Sequence, residues 1–301
     1  MLKKAFKIIL PSVIITSSVI GADFNAQAEK DRVALIKYFE TKFKDPAGQS
    51  DKFFPYSDKN ELKTNYIKGL KKDQFANGTY AYAKAQREQY LEIIDMPPYD
   101  DNIDAGEELY NDTKGLKQCF PEPIEAAVNY PKFDDKKGEV ITLSVAINDC
   151  LKQNGQKPWK MTKGKMADLE AYFASSARDE EKVINVKIQS KAAQEAYEAG
   201  KKYYYSQRGY LKLSCATCHV QGAGQKVRSE YMSSLLGHTT HFPVYRLKWE
   251  GLGTLERRVK GCIKDEGQKP PKLDSNDMKN LIYFISYMSN GMKIDGPDVR
   301  K

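Results

Sequence analysis

The sequence predicts a mainly α-helical protein built from two tandem copies of one helical plan. Three observations lead to this fold class: apolar residues recur at helical spacing, strand-like runs are few, and the second half repeats the pattern of the first. The chain has 301 residues and a formal net charge of +8, spread without a dense basic run. This length suffices for two modest domains. The charge pattern gives no indication of a nucleic-acid partner.

Residues 1–28 have the pattern of a secretory signal peptide. Lys3, Lys4 and Lys7 precede a mostly apolar stretch that is too short to span a bilayer comfortably. Small residues at Ala26-Gln27-Ala28 offer a cleavage site, and a cut after Ala22 is also possible. An uncleaved membrane anchor is the alternative. We expect an exported chain with no integral membrane segment after cleavage, in a compartment that permits disulfides.

The internal repeat is recognised from fixed spacings. A glycine, a tyrosine and a second glycine recur with the same offsets at Gly106, Tyr110, Gly115 and at Gly200, Tyr204, Gly209. Later, a threonine stands eight residues before a cysteine in both copies, at Thr142 and Cys150 and at Thr254 and Cys262. The sequence G-Q-K-P follows both cysteines. We infer a duplication and predict an N-terminal domain over residues 29–183 and a C-terminal domain over 184–301.

The elements expected along the chain follow from local pattern. An amphipathic helix is predicted around residues 33–43, and more helical sequence follows over 61–96. Each copy is then expected to contain a helix, a cofactor-attachment position, a long loop, a cysteine loop and a closing helix. In the second copy the first helix is predicted from about Ser190 to Gln207, with Ala196, Tyr203 and Tyr204 packed inside. The run 183–188 could be a strand or a linker.

The closing helix of the second copy has clear boundaries. Asp274 or Ser275 can cap its start and Asn290-Gly291 can end it. Its predicted buried stripe consists of Met278, Leu281, Ile282, Ile285 and Met288.

Cys215, Cys218 and His219 form the C-x-x-C-H pattern of c-type haem attachment. The two thiols can form thioethers with the haem vinyl groups, and the adjoining histidine can ligate the iron. A zinc site would need two further ligands at matching spacing, which the sequence does not offer. A thioredoxin-like redox motif needs no histidine and prefers a βαβ context. The motif therefore predicts one covalently bound haem c.

The first copy lacks this motif. Cys119 is followed by Phe120, and Leu116 stands where a first cysteine would be. The N-terminal domain is therefore expected to be a cytochrome c-like domain without haem. With no iron to serve, Cys119 and Cys150 could oxidise to a disulfide that contributes ~3 kcal/mol. Two unpaired buried thiols are the alternative.

Cys262 is left without a partner in its own domain and is a candidate sixth ligand of the haem iron. A thiolate ligand would lower the reduction potential relative to methionine. Arg258 lies one helical turn earlier, where it would favour the thiolate and offer forked donors to an oxyanion. Its counterpart in the first copy is Ala146. The rival ligands are Met232, Met278, Met288, Met292, His238 and His241; core packing explains Met278 and Met288, and the two histidines are expected to hydrogen-bond locally.

These residues carry a family resemblance. The runs S-C-A-T-C-H, G-H-T-T-H-F-P-V-Y-R-L-K-W and G-T-L-E-R-R-V-K-G-C resemble SoxA, the larger subunit of the SoxAX cytochromes of thiosulfate oxidation. The resemblance implies a periplasmic protein that binds a small monohaem cytochrome of the SoxX type. It also implies that the complex couples thiosulfate oxidatively to a cysteine of the carrier SoxYZ, as an L-cysteine S-thiosulfotransferase.

The resemblance also implies roles for individual residues. Cys215 and Cys218 would bind haem, His219 and Cys262 would ligate iron, and Cys262 would be the catalytic cysteine, found in the family as a persulfide. Arg258 would help to bind the substrate anion. Arg246, in the V-Y-R-L-K-W run, is a weaker candidate for a second anion contact. Because the first copy departs from the haem motif at Cys119, the chain resembles the single-haem members, which carry a disulfide in the N-terminal domain.

Two other function classes compete with this one. A soluble electron-transfer cytochrome with His/Met ligation would leave Cys262 as a structural thiol. The Arg258–Cys262 pair, absent as a pair from the first copy, argues against that function. A haem-based sensor would need an output domain, and the sequence offers none.

Overall fold

The computed structural model describes residues 23–227 and 230–300, and most of these residues are in helices. The predicted mainly α-helical fold is therefore confirmed. The predicted signal peptide lies outside the described residues except for residues 23–28, which lead into the first helix. Within the described part of the chain, none of the helices has both the length and the apolar character needed to cross a membrane.

The first helices form an N-terminal segment, which we define as residues 23–94. Its elements are α1 (Ala26–Lys42), α2 (Ser50–Phe53), α3 (Lys59–Asn65), a 3-10 helix (Lys72–Ala81) and α4 (Lys84–Ile94). The helix predicted around residues 33–43 is present and begins earlier, at Ala26.

The first repeat follows. It contains α5 (Asp100–Asp112), α6 (Leu116–Cys119), α7 (Pro123–Asn129), β1 (Lys132–Asp134), β2 (Glu139–Ile141), α8 (Leu143–Gln153) and α9 (Lys165–Asp179). Strands β1 and β2 form an antiparallel hairpin.

The second repeat has the same order of helices with additional short strands. It contains α10 (Lys191–Tyr205), a π-helical turn (Thr217–Gln221), β3 (Lys226–Val227), β4 (Glu230–Tyr231), β5 (Val244–Arg246), a 3-10 helix (Leu247–Trp249), β6 (Gly251–Gly253), α11 (Leu255–Asp265), α12 (Asn276–Tyr287) and β7 (Asp298–Val299). Strands β3 and β4 pair with each other, and β5 lies between β6 and β7. The run 183–188 contains no strand, only one bridge between Val183 and Lys293.

In each repeat a glycine brings the first helix against the closing helix. A Cβ atom added to Gly106 of α5 would lie 2.0 Å from the carbonyl oxygen of Asp168 in α9. A Cβ atom added to Gly200 of α10 would lie 2.0 Å from the carbonyl oxygen of Asn280 in α12. Only glycine permits this backbone approach. The predicted stripe of α12 is buried throughout, and Ala196, Tyr203 and Tyr204 of α10 are buried as well.

The cysteine segments differ from the prediction of loops. Cys150 lies in α8 and Cys262 in α11, because a threonine stands at the N-cap position of each helix and apolar residues recur at helical spacing after it; of the two, Thr254 caps its helix through its side chain. Cys119, at the end of α6, forms a disulfide with Cys150. The disulfide prediction is confirmed.

The N-terminal segment shares its aromatic core with the second repeat. Phe39, Phe43 and Phe75 share one apolar core with Tyr197 and Phe284. A separate core fills the first repeat and contains Tyr110, Leu116, Phe120, Ile147, Leu151, Met166, Leu169 and Phe173. The haem-motif half is therefore supported by residues that lie outside both repeats.

A buried pair of carboxyl groups lies where the repeats meet. Glu170 of α9 accepts a hydrogen bond from Ser144, and Glu256 of α11 accepts one from Thr142 at 3.1 Å. Burial raises the pKa of Glu170 well above its ordinary value, and the neighbouring Glu256 raises it further. Burial also raises the pKa of Glu256. The fold therefore favours a proton on this pair.

Removing the disulfide should destabilise the protein. We expect the Cys119→Ala/Cys150→Ala double variant to lose about 3 kcal/mol of unfolding free energy, because its unfolded chain is no longer cross-linked. Guanidinium unfolding measures this loss. Reductant should lower the stability of the wild type and leave the double variant unchanged; equal stability of the two chains would contradict the prediction.

The carboxyl pair should make stability depend on pH. A carboxyl group whose pKa is raised by folding holds a proton that the unfolded chain has released, so its contribution to stability is lost as pH rises above the ordinary carboxyl pKa. We expect Glu170→Gln, which cannot ionise, to reduce the loss of stability between about pH 5 and about pH 8. Parallel urea titrations of wild type and variant measure this. An unchanged slope against pH would show that the pair does not hold a proton.

Candidate haem site and basic cleft

The haem-motif turn starts at a reciprocal pair of hydrogen bonds. The Ser214 amide donates to Thr217 Oγ1 at 3.2 Å, and the Thr217 amide donates to Ser214 Oγ at 3.1 Å. The π-helical turn then closes where the Gly222 amide donates to the Thr217 carbonyl at 2.9 Å. The serine and threonine of S-C-A-T-C-H thus fix the turn that carries both cysteines and the histidine.

The three motif side chains differ in burial and charge state. Cys215 is buried and Cys218 is partly buried, and burial raises the pKa of both thiols. Burial also lowers the pKa of His219 to about 4, so its imidazole is neutral at neutral pH. Its Nδ1 atom lies 2.9 Å from the Ser233 carbonyl oxygen. A hydrogen bond from Nδ1 leaves Nε2 free to ligate a metal.

Three of the four rival methionines and one of the two rival histidines named above are accounted for by their surroundings. Met278, Met288 and Met292 are buried in the apolar core, where packing explains them. His238 Nε2 lies 3.1 Å from Ser233 Oγ, as the expected local hydrogen bond requires. Burial lowers the pKa of His238 and of His241 well below the ordinary value.

Helix α11 positions Arg258 and Cys262 relative to the haem-motif turn. Thr254 caps its start by accepting from the Arg257 amide at 3.3 Å, and Thr254 Oγ1 donates to the Met161 carbonyl at 2.7 Å. Arg258 and Cys262, four residues apart in this helix, share one face. The Arg258 charge lowers the pKa of His219. The structure therefore brings Arg258 and Cys262 to the haem-motif turn.

Arg246, at the end of β5, joins this group. Burial lowers the pKa of its guanidinium to about 10; the Arg258 charge lowers it further, whereas Cys262 raises it. Arg258 and Cys262 therefore both lie close enough to Arg246 to act on its charge. Arg246, the weaker of the two predicted anion contacts, therefore lies beside Arg258, the stronger one.

A basic cleft of about 290 Å³ opens beside these residues. Its cationic lining consists of Arg246, Lys248, Arg257, Arg258, Lys260 and Lys264, with Asp265 as the single acidic residue. A cleft of one charge sign concentrates small ions of the opposite sign. The cleft is therefore suited to a small anion.

Trp249 holds two arginines of the cleft in place. The guanidinium carbon of Arg257 lies 4.1 Å from the centre of the Trp249 ring and that of Arg246 lies 5.1 Å from it. A Cβ atom at Gly253 would lie 2.5 Å from the same ring, so the tryptophan closes directly on the backbone of β6. Such cation–π contacts fix the arginines while leaving them charged.

Neither Trp249 nor Glu266 is predicted as a site residue by the sequence patterns above. Glu266 follows Cys262 by one helical turn, and this spacing could have indicated a shared face. Burial raises the pKa of its carboxyl group, and the carboxylate hydrogen-bonds the Cys215 thiol. A buried acid thus lies directly beside the motif cysteines.

The two repeats differ in a way that fits a cofactor in the second. Tyr110 of the first repeat donates its hydroxyl hydrogen bond to the Phe120 carbonyl at 2.8 Å. The hydroxyl of its counterpart Tyr204 is buried and has no partner among the described residues. Cys215 and Cys262 are close enough to raise the Tyr204 pKa. An orphaned buried hydroxyl beside two thiols and a neutral histidine fits a bound haem.

Together, the helical fold and the C-x-x-C-H turn define a protein of the cytochrome c class, which implies haem c. A family model described as "SoxA/TsdA, cytochrome c domain" matches residues 105–181 and 199–294. The chain belongs to the SoxA family. The matched ranges coincide with the two repeats and leave out the N-terminal segment.

Relatives and a solved structure agree with this family. The chain is 44% identical over 236 residues to the L-cysteine S-thiosulfotransferase subunit SoxA of Chlorobaculum tepidum, covering 77% of this chain and 82% of that protein. It is 40% identical over 233 residues to the protein of the same name from Allochromatium vinosum, covering 76% and 83%. The crystal structure of SoxXA from P. pantotrophus matches with a TM-score of 0.60 at 30% identity, covering 68% of this chain and 79% of that chain. The predicted thiosulfotransferase class is confirmed by these relatives.

The two tyrosines offer a matched test of cofactor contact. We expect Tyr110→Phe to cost about 1 kcal/mol, because it leaves a carbonyl without its donor. We expect Tyr204→Phe to cost a similar amount in the haem-loaded protein, since a bound haem would supply the missing partner. Denaturant unfolding measures both costs. Unchanged stability for Tyr204→Phe alone would contradict a polar contact between the haem and this hydroxyl.

Proposed function

We propose that this chain is the haem-binding SoxA subunit of a periplasmic L-cysteine S-thiosulfotransferase. It couples thiosulfate oxidatively to a cysteine of a SoxYZ-type carrier. The observation that carries the proposal is the position of Arg258 and Cys262 on one face of α11, beside both the haem-motif turn and the basic cleft.

The residues of the turn and of α11 are assigned to one haem c. Cys215 and Cys218 would hold it through thioethers, and His219 and Cys262 would ligate its iron. The neutral His219 imidazole, oriented through Ser233, supports this assignment. The bound haem supplies a route by which electrons leave the site.

Cys262 is the covalent catalyst in this proposal. Arg258 and Arg246 bind the sulfonate end of thiosulfate and direct its outer sulfur at the Cys262 sulfur. A sulfur–sulfur bond forms between the Cys262 thiolate and thiosulfate, and two electrons leave the site. The carrier thiolate then attacks the sulfur that bears the sulfonate, and the Cys262 thiolate is displaced. The carrier retains the thiosulfonate group, and all sulfur atoms are accounted for.

The partner proteins follow from the same chemistry. A SoxX-type monohaem cytochrome would accept one of the two electrons and the haem held by Cys215 and Cys218 would accept the other; the SoxXA complex among the structural neighbours supports this partner. The Cys119–Cys150 disulfide and the signal-like pattern of residues 1–28 support the periplasm as the location.

The two repeats arose by duplication in this proposal, and the first has no haem. The equivalent helix contacts of Gly106 and Gly200 support the duplication. The disulfide in the first repeat uses Cys119, which stands where the second repeat has its haem motif. Electrons therefore leave through one haem of this chain.

The alternative is an electron-transfer cytochrome with His/Met ligation and no substrate chemistry. Intact mass with peptide mapping separates the two functions. One haem and a reducible extra sulfur on Cys262, about 32 Da, would support the thiosulfotransferase. A Cys262 thiol that alkylates freely without denaturant would favour the electron carrier.

Variants of α11 test the proposed roles directly. We expect Cys262→Ser to abolish thiosulfate attachment to the carrier. We expect Arg258→Gln to lower kcat/KM roughly 10- to 100-fold, the equivalent of one lost charge-assisted hydrogen-bonded contact. Arg258→Lys should fall between, because it keeps the charge and loses the forked donors. The measurement is the mass of the carrier thiol against time.

The control is Lys63→Gln, which removes one exposed positive charge far along the chain from the cleft. It should retain wild-type kcat/KM. Full activity of Arg258→Gln would remove Arg258 from the substrate site, and full activity of Cys262→Ser would contradict covalent catalysis.

A further inference from the structure

The N-terminal segment holds the chain immediately after the haem motif. Tyr66 and Tyr82 donate hydroxyl hydrogen bonds to the carbonyls of Gly224 and Met232. A Cβ atom at Gly224 would lie 2.7 Å from the ring of Phe43. Residues outside both repeats therefore bind the backbone of the segment that carries the proposed iron ligand.

Lys42, at the end of α1, is the most unusual member of this contact. Its side chain is 0% exposed. The ammonium group donates to the Gln221 carbonyl at 2.7 Å and lies 3.4 Å from the Val220 carbonyl oxygen. It also lies 5.1 Å from the centre of the Phe54 ring. No carboxylate forms an ion pair with Lys42 among the described residues.

A buried ammonium without a counter-ion is costly, and it is tolerated only where strong acceptors meet it. The acceptors here are the last carbonyls of the π-helical turn, which carry partial negative charge. Val220 and Gln221 directly follow His219. The His219 carbonyl in turn accepts from the Leu235 amide at 2.8 Å, and its ring is held by Ser233. Lys42 thus holds the two carbonyls that directly follow His219, next to the bonds that hold His219 itself.

We propose that Lys42 is a positioning residue for His219, acting by capping the haem-motif turn with its buried ammonium group. This inference rests on the proposed haem at Cys215, Cys218 and His219. It adds a function for the N-terminal segment, which holds the proximal ligand of the haem and places one positive charge near it.

Burial lowers the pKa of Lys42 to about 7. The ammonium is therefore charged below neutral pH and neutral above it. Tyr38, whose ring lies 6.0 Å from the ammonium, is the titratable side chain facing it, and burial raises the Tyr38 pKa. Burial lowers the pKa of the two other buried histidines, His238 and His241, well below the ordinary value, so neither titrates near neutral pH. Burial raises the pKa of Glu266, the carboxyl group beside the motif cysteines, so Glu266 is tested separately below.

Three proteins test the proposal: the haem-loaded wild type, Lys42→Met and Lys44→Met, with Lys44 exposed two residues later. The readouts are the paramagnetic spectrum of the iron and the reduction potential between about pH 6 and about pH 9. A positive charge disfavours the oxidised iron. We expect the wild-type potential and spectrum to change in one step near pH 7 and Lys44→Met to do the same. Lys42→Met should lack the step and have a lower potential than wild type at the acid end only.

The outcomes separate this inference from the proposed function. A wild-type protein without covalent haem would overturn both. A wild-type protein with haem and no step near pH 7, or a Lys42→Met variant that keeps the step, would overturn the role of Lys42 alone. If Lys42→Met does not fold, the wild-type titration still decides, together with Glu266→Gln. Glu266→Gln removes the buried carboxyl group beside the motif, and this variant must retain the step near pH 7.

Discussion

The contact of two helix backbones at a glycine is the constraint on which each repeat depends. At Gly106 and at Gly200 the partner carbonyl occupies the place that any side chain would need. A methyl group there would force α5 from α9 or α10 from α12. In the second repeat this would move the helix that leads into the haem-motif turn relative to the helix that supports its core. The position of the site is therefore set by a residue that takes no part in its chemistry.

The two repeats share this helix contact, but their cysteines and buried tyrosines are bonded differently. The first repeat joins α6 to α8 covalently through Cys119 and Cys150, and its buried tyrosine is satisfied by a backbone carbonyl. In the second repeat Cys262 forms no disulfide and the Tyr204 hydroxyl has no partner within residues 23–227 and 230–300. The cysteines and the tyrosine of the first repeat are bonded to protein groups, whereas those of the second repeat are arranged to contact a cofactor. The difference supports a division into a structural half and a reactive half.

What the sequence could predict was local in character. The C-x-x-C-H motif, the four-residue spacing of Arg258 and Cys262, and the stripe of α12 are all encoded within a few helical turns. The helical state of the cysteine segments could also have been predicted, because Thr254 is a good cap and Leu255, Val259 and Ile263 recur at helical spacing. The polar residues around G-Q-K-P obscured this helical spacing and favoured the prediction of a loop.

The contacts that escaped prediction join distant parts of the chain. Lys42 caps a turn that lies far along the sequence, Glu170 meets Glu256 across the repeats, and Trp249 gathers two arginines through the tight approach of Gly253. A lysine near the end of an amphipathic helix is normally expected in solvent. Its spacing gave no indication that tertiary packing would bury it.

The packing of the N-terminal segment has a consequence for how the protein is made. This segment precedes the haem motif in the chain and, once packed, binds Val220, Gln221 and Gly224 directly behind it. Cys215 is then buried. An enzyme that joins haem to the two cysteines needs an accessible, extended motif. If the haem is attached as proposed, maturation must reach the motif before the segment packs onto it. The earliest part of the chain to be made would thus be among the last to take its final place.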